Sequence, residues 1–198
     1  MKKFDFILAG VGGQGTILAS NILAEVGLEL GYEVKKSEIL GMAQRGGTVE
    51  SHVRWGEKVY SPLVEEGEVD FLLGFEMLEA GRWSSFLKEE SKVIINRYQI
   101  PPPAVNLGKA KYPKEKEIES LLKATAGEVI WVDALKTAQD LGNPAVAGVV
   151  LLGVLSTQVG GSTEIWQKVV ERLVPVKFQE LNRKAFQMGR QVTTTEKI

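Results

Sequence analysis

The stretch Gly10-Val11-Gly12-Gly13-Gln14-Gly15 constrains this chain more than any other. It joins an apolar run, Phe4 to Ala9, to a helical pattern of Ile17, Leu18, Ile22, Leu23, Val26 and Leu30 that stops at Gly31. Strand, tight turn and helix in this order bring a helix N-terminus to a strand end, where exposed amides suit a phosphate or another anion. Gly10, Gly12 and Gly15 satisfy the spacing G-x-G-x-x-G, yet glycine here also serves simply to let strand and helix cross closely, and the two readings carry equal weight. A dinucleotide needs, in addition, an acid at the end of the second strand to hold the ribose. That end reads Lys35-Lys36-Ser37-Glu38, where Glu38 fits and the two lysines leave the matter open.

Further along, Tyr32 to Lys36 suits a second strand, followed by a loop from Ser37 to Gly47. Thr48 to Trp55 alternates, and the turn Gly56-Glu57-Lys58 into Val59-Tyr60-Ser61 signals a hairpin. The unbroken apolar run Val69 to Phe75 is that of a strand covered on both faces, and Met77 to Leu87 fits a returning helix. Strands are expected at Lys92 to Asn96 and Glu128 to Asp133. Pro101-Pro102-Pro103 marks Tyr98 to Pro113 as a surface excursion, neither regular helix nor central strand. Helices are expected at Glu115 to Lys123, Leu135 to Leu141, from Pro144 onward, at Thr163 to Leu173 behind a Ser162 cap, and at Phe178 to Met188, with Thr193 to Ile198 a frayed tail. The pattern predicts one α/β domain, Rossmann-like, with a doubly wound, mostly parallel sheet, a β-hairpin insertion and C-terminal helices.

Composition then removes whole classes of function. With 24 basic and 25 acidic residues the net charge is -1, so no global field recruits nucleic acid or an anionic membrane. The chain has no cysteine, which excludes disulfides, a thiolate nucleophile, cysteine-bound zinc and any iron-sulfur cluster held by this chain itself. If it serves redox chemistry, another chain must carry the metal. Asp5 breaks the N-terminal apolar run too early for a signal peptide, and Ala145 to Leu155 is too short to cross a bilayer, so a soluble cytoplasmic protein is expected.

A second constellation, Gly41-Met42-Ala43-Gln44-Arg45-Gly46-Gly47-Thr48, places a charge among glycines near the carboxyl edge of the sheet. Arg45 there can grip a phosphate or carboxylate in bidentate fashion, with Gln44 and Thr48 as neutral partners. The competing reading is a surface turn with Arg45 paired to a nearby glutamate, and for an arbitrary sequence it weighs more. Glu76 and Asn96 end predicted strands on the same rim, where they can line a site or simply cap a helix or turn. His52 stands alone and reads as a structural or interface residue. Lys109, Lys111, Lys114 and Lys116 interleave with Glu115, Glu117 and Glu119, as on a solvated face. The small residues of Ala145 to Gly153 suit close helix packing. No acid-base or nucleophile-base pair is visible.

With both loops in view, the sequence resembles the gamma-subunit family of 2-oxoacid:ferredoxin oxidoreductases, and within it the beta subunits of the indolepyruvate type. The resemblance covers nearly the whole chain. It rests on Gly10 to Thr16, on Ser37 to Gly47, on Tyr60-Ser61-Pro62-Leu63-Val64 and on Gly74-Phe75-Glu76-Met77-Leu78-Glu79-Ala80. It implies a cytoplasmic heteromer that decarboxylates a 2-oxoacid with thiamine diphosphate and Mg2+, passes electrons through iron-sulfur clusters to ferredoxin, and forms an acyl-CoA and CO2. The thiamine diphosphate, Mg2+ and clusters would sit on large partner subunits, and this chain alone would be inactive. The resemblance places Gly10, Gly12, Gly13, Gln14, Gly15 and Thr16, and Gln44, Arg45, Gly46, Gly47 and Thr48, at a subunit boundary near coenzyme A. Glu76 and Asn96 join them as candidates, and no catalytic residue or metal ligand is expected here. Two other readings stand beside it. One is an adenylating enzyme, whose relatives commonly use cysteines that this chain lacks, and the other is a stand-alone nucleotide-binding or regulatory protein.

Overall fold

Residues 2–41 and 46–195 are described by a computed structural model. Phe4–Val11 forms β1 and is buried along its whole length, as a strand covered on both faces must be. After the glycine turn, Thr16–Glu29 forms α1, and the chain then builds β2 (Glu33–Leu40), β3 (Thr48–Gly56) and β4 (Val69–Gly74). There follow α2 (Met77–Arg82), β5 (Leu87–Asn96), the single-turn α3 (Pro103–Asn106), α4 (Glu115–Lys123), β6 (Glu128–Val132) and α5 (Ala134–Asp140). The chain ends in α6 (Ala147–Val159), α7 (Thr163–Leu173) and α8 (Gln179–Thr195).

The six strands lie in the order β2-β3-β1-β4-β5-β6. β1, β4, β5 and β6 are parallel, whereas β3 runs antiparallel to both of its neighbours, β1 and β2. Alternation along each strand sends Phe6, Leu8, Leu73 and Ile94 to one face, under α1 and α5 to α8. Ile7, Leu72, Val93 and Ile95 point to the other, under α2 and α4. The expected doubly wound α/β architecture with its C-terminal helices is present. From β1 the chain turns toward β2 and β3, and from β4 it turns toward β5 and β6. The crevice where a doubly wound sheet places its ligands therefore opens between the carboxyl ends of β1 and β4.

Several local expectations need correction. The hairpin joins β2 to β3, not β3 to residues 59–61, and β2 continues through Ser37 to Leu40, where a loop was expected. The reason is non-local packing: Trp55 on β3 stacks on Tyr32 at 5.4 Å and fills the space beside Gly27 of α1, where an added Cβ would lie 2.5 Å from its Nε1. Truncating a buried tryptophan costs about 3–5 kcal/mol, more than a three-residue surface turn can contribute. The returning helix stops at Arg82, followed by a 3-10 turn over Ser84–Phe86, and β5 begins at Leu87 rather than at Lys92. The excursion contains the turn of α3 because Pro103 occupies a first-turn position, where a missing amide proton costs nothing. The last helix runs on to Thr195, through the start of the expected tail.

The small residues of α6 have an internal use. An added Cβ at Gly153 would lie 2.3 Å from the Phe186 carbonyl oxygen, and one at Gly189 would lie 2.0 Å from that of Val150, so α6 and α8 touch backbone to backbone. Among the described residues no helix is long and apolar enough to cross a membrane.

Candidate functional site

The glycine turn and the loop leading into β3 are physically joined. The Gly12 amide donates to the Gly47 carbonyl at 2.8 Å, and the Gly46 amide reaches the Gly12 carbonyl at 3.4 Å. The Gly41 amide closes the base of the hairpin on the Thr48 carbonyl at 2.8 Å. Gly13 and Gly15 take φ of 103° and 83°, a left-handed backbone that disfavours any side chain. Gly15 also begins α1 without a side-chain cap, and the first turn carries no acidic residue. The leading amides of the helix therefore have no partner within the helix and can meet an anionic oxygen.

Two clefts flank the turn and share Gly12 and Gly13. The first, of about 540 Å³, lies between the turn and the hairpin and is lined by Thr16, Ile17, Val11, Leu40, Gly41 and Val49 among others. Its described walls are apolar, and the hydrogen-bonding groups they offer are backbone ones, the Thr16 hydroxyl being buried. The second, of about 370 Å³, occupies the crevice between the ends of β1 and β4, with Gln14, Phe75, Asn96, Tyr98, Leu135 and Pro144 in its wall. Two of its polar side chains, Gln14 and Asn96, form a ladder across the strand ends. Gln14 Oε1 accepts the Val11 amide at 2.7 Å, and its Nε2 donates to the Phe75 carbonyl at 3.0 Å. Asn96 Nδ2 donates to the same carbonyl at 3.2 Å, while its Oδ1 accepts the Leu135 amide at 3.3 Å.

The remaining candidates fall into place around this ladder. Gly10 lies beneath Gln14, where an added Cβ would sit 2.9 Å from Oε1 and 2.8 Å from Phe75 Cβ. Thr16 is buried with its hydroxyl lacking a hydrogen-bond partner. Glu76 lines neither cleft: it caps α2 by accepting the Glu79 amide at 2.8 Å, and it also accepts the Ile100 amide at 3.0 Å and the Tyr112 hydroxyl. Burial first, and the Glu76 carboxylate second, push the Tyr112 phenol above its ordinary range. Thr48 meets Arg82 Nη1 at 3.4 Å. Gln44 and Arg45 lie outside the described residues. Glu38, the possible ribose acid, is occupied by Ser20 Oγ at 3.2 Å and by Lys36.

Tyr98, Leu135, Pro144, Ile17, Leu40 and Val49 line the clefts without being among the residues expected there. Tyr98 and Leu135 follow within three residues of a strand's carboxyl end, so the crevice rule marks them. Near the hairpin, burial raises the carboxyls of Glu50 and Glu79, and for Glu50 the charge of Glu79 adds to the effect. Among the described residues no group of three histidine, cysteine, aspartate or glutamate side chains is placed to hold a metal ion.

A strand-turn-helix whose turn is sewn to a glycine hairpin can be compared with known proteins. The model of the pyruvate ferredoxin/flavodoxin oxidoreductase family matches residues 5–192. The chain belongs to this family. It is 40% identical over 193 residues to the indolepyruvate oxidoreductase subunit IorB of Pyrococcus horikoshii, covering 96% of this chain and 95% of that one. The gamma subunit of a keto/oxoacid ferredoxin oxidoreductase from Geobacter sulfurreducens superimposes with a TM-score of 0.71 at 28% identity, over 97% of this chain and 99% of the other. The fold also recurs within a 2-oxoglutarate:ferredoxin oxidoreductase from Magnetococcus marinus, with a TM-score of 0.75 at 19% identity, where 98% of this chain matches 32% of the longer polypeptide. The chain is thus a subunit of a 2-oxoacid:ferredoxin oxidoreductase. The lack of cysteine is consistent with cofactors carried by partner chains.

Proposed function

We propose that the chain is the cluster-free subunit of an indolepyruvate-type 2-oxoacid:ferredoxin oxidoreductase, and that the joined glycine turn and hairpin form part of the wall of its coenzyme A region. The observation that carries the second part is the bond from the Gly12 amide to the Gly47 carbonyl, which makes one surface of two loops separated by 35 positions in sequence. The uncapped start of α1 fits a phosphate oxygen through its amides, and the apolar wall of Ile17, Leu40 and Val49 fits an uncharged part of the same molecule. Arg45, two residues before Gly47, would supply the cation that the described walls lack. Thiamine diphosphate, Mg2+ and the iron-sulfur clusters belong on larger partner subunits. Thiamine diphosphate would supply the carbanion chemistry of decarboxylation, whereas the residues of this chain would bind and orient coenzyme A and exclude water.

The test is co-purification from cells that make this chain together with the larger subunit. The larger polypeptide should come through bound, with iron-sulfur absorbance, and this chain alone should be colourless and without 2-oxoacid oxidoreductase activity. Tight binding of ATP, NAD or coenzyme A by a solitary monomer, with no larger polypeptide retained, would favour a stand-alone nucleotide-binding protein instead.

A further inference from the structure

Segment 57–66, between β3 and β4, has no regular structure, yet it is held at many points. Val59 and Val64 are buried at its two ends. The Val64 amide donates to His52 Nδ1 at 3.1 Å, and the Leu63 amide donates to Ser61 Oγ at 3.2 Å. Arg54 Nη1 takes the carbonyls of Leu63 at 2.8 Å and Ser61 at 3.3 Å. The same guanidinium is fixed from behind by the fully buried Asp5, through Nε at 2.8 Å and Nη2 at 3.2 Å. Bidentate pairing to a buried carboxylate sets the plane of an arginine and so the position of whatever it binds.

Between the buried valines the segment turns its large apolar groups outward. Tyr60 is 86% exposed and Leu63 47% exposed. Glu65 and Glu66, next along the chain, are exposed, whereas Glu68 beyond them is half-exposed and pairs with Lys3 at 3.6 Å. The basic groups nearby are already paired: Arg54 and Lys3 with Asp5, Lys58 with Glu33, and Lys88 with Asp70. The patch is therefore an aromatic and an aliphatic side chain carried on a backbone pinned at Ser61, Leu63 and Val64, beside the exposed carboxylates of Glu65 and Glu66. Rigid aromatic anchors lose little entropy on docking and typify the centres of protein interfaces.

We infer that Tyr60 and Leu63 dock this chain onto the larger subunit of the oxidoreductase, into an apolar socket rimmed by lysine or arginine. The inference rests on the reading of the chain as one subunit of a larger enzyme. Charge selects the occupant. A second copy meeting this face about a twofold axis would bring Glu65 and Glu66 against their own counterparts, whereas a basic rim gains from them.

The test titrates the purified larger subunit into this chain by calorimetry, with the complex also assembled at low and high salt. Tyr60→Ala is expected to raise Kd at least about tenfold. Glu65→Lys with Glu66→Lys is expected to slow association at low salt and to lose most of that effect at high salt. Leu107→Ala, at a residue 69% exposed on the far excursion, serves as the control and should change nothing. All three sites are exposed, and unchanged circular dichroism confirms the fold. If wild type binds and Tyr60→Ala binds equally well, the inference is overturned while the functional reading stands. If sedimentation shows a dimer of the isolated chain that Tyr60→Ala dissolves, the occupant is a second copy and the inference is again wrong. If wild type binds no larger subunit, both fall together.

Discussion

Gln14 reaches across the crevice to Phe75, donating to its carbonyl at 3.0 Å while accepting the Val11 amide at 2.7 Å with the other end of the same carboxamide. The side chain thus spans the place where a doubly wound sheet would open to a ligand. It makes the turn a fixed edge between two clefts rather than a loose cradle.

Replacing Gln14 by alanine removes both bonds and strands the Val11 amide, whereas the Phe75 carbonyl keeps Asn96. A buried donor left without a partner costs about 1–3 kcal/mol. Gln14→Ala should lose about 2 kcal/mol in urea unfolding of the isolated chain. A loss indistinguishable from zero would show that the ladder does not stiffen the rim.

His52 is buried edge-on to Trp83 at 5.5 Å, and its Nδ1 accepts the Val64 amide. Burial first, and the Arg54 charge second, lower its pKa from the ordinary 6.5. The folded chain therefore refuses a proton that the unfolded chain accepts. The stability contribution is complete above pH 6.5 and is lost as pH falls below that value toward the lower folded pKa. His52→Gln should flatten the decline in the urea midpoint between pH 7.5 and about 5.5. Identical slopes for variant and wild type would exclude His52 as its source.

Glu79 behaves in the opposite sense. Its Oε2 is buried without a hydrogen-bond partner, and burial outweighs Arg82 and Thr48 in raising its carboxyl above the ordinary 4.5. Its contribution is present below pH 4.5 and is lost as pH rises through the folded value. Glu79→Gln should match or exceed wild-type stability at pH 8, by on the order of 1 kcal/mol, and the gain should vanish near pH 4. A variant less stable than wild type at pH 8 would mean that the ion pair with Arg82 dominates.

Gly189 meets α6 so closely that a methyl group would sit 2.0 Å from the Val150 carbonyl oxygen. Backbone cannot swing aside as a side chain can. Gly189→Ala should lose about 1–3 kcal/mol or more by overpacking, in thermal or urea unfolding. A neutral result would show that α8 slides on α6 without penalty.

The turn was legible because its requirements are local: an apolar strand, glycines that take positive φ at Gly13 and Gly15, and helical spacing after them. The hairpin partner was not. Gly56 to Lys58 carries the local turn signal, but the register from Val34 opposite Trp55 to Leu40 opposite Val49 is set by packing on α1. Val59 to Ser61, expected as the returning arm of that hairpin, instead opens an irregular segment that Arg54 holds through the Ser61 and Leu63 carbonyls, an interaction with no periodic signature. Gln14 and Glu38 show a second limit. Their types and positions suit ligand binding, yet Gln14 bonds Val11 and Phe75, and Glu38 bonds Ser20 and Lys36, within the chain. Sequence marks which groups can bind, and only the fold shows which are already engaged.

The most direct measurement is reduction of a viologen dye by the purified complex of this chain and its larger subunit, across a panel of 2-oxoacids with and without coenzyme A. Reduction is expected to require both subunits, coenzyme A and a 2-oxoacid, and to be fastest with indolepyruvate or another aromatic acid. An assembled, cluster-bearing complex that reduces the dye with no 2-oxoacid in the panel would contradict this expectation.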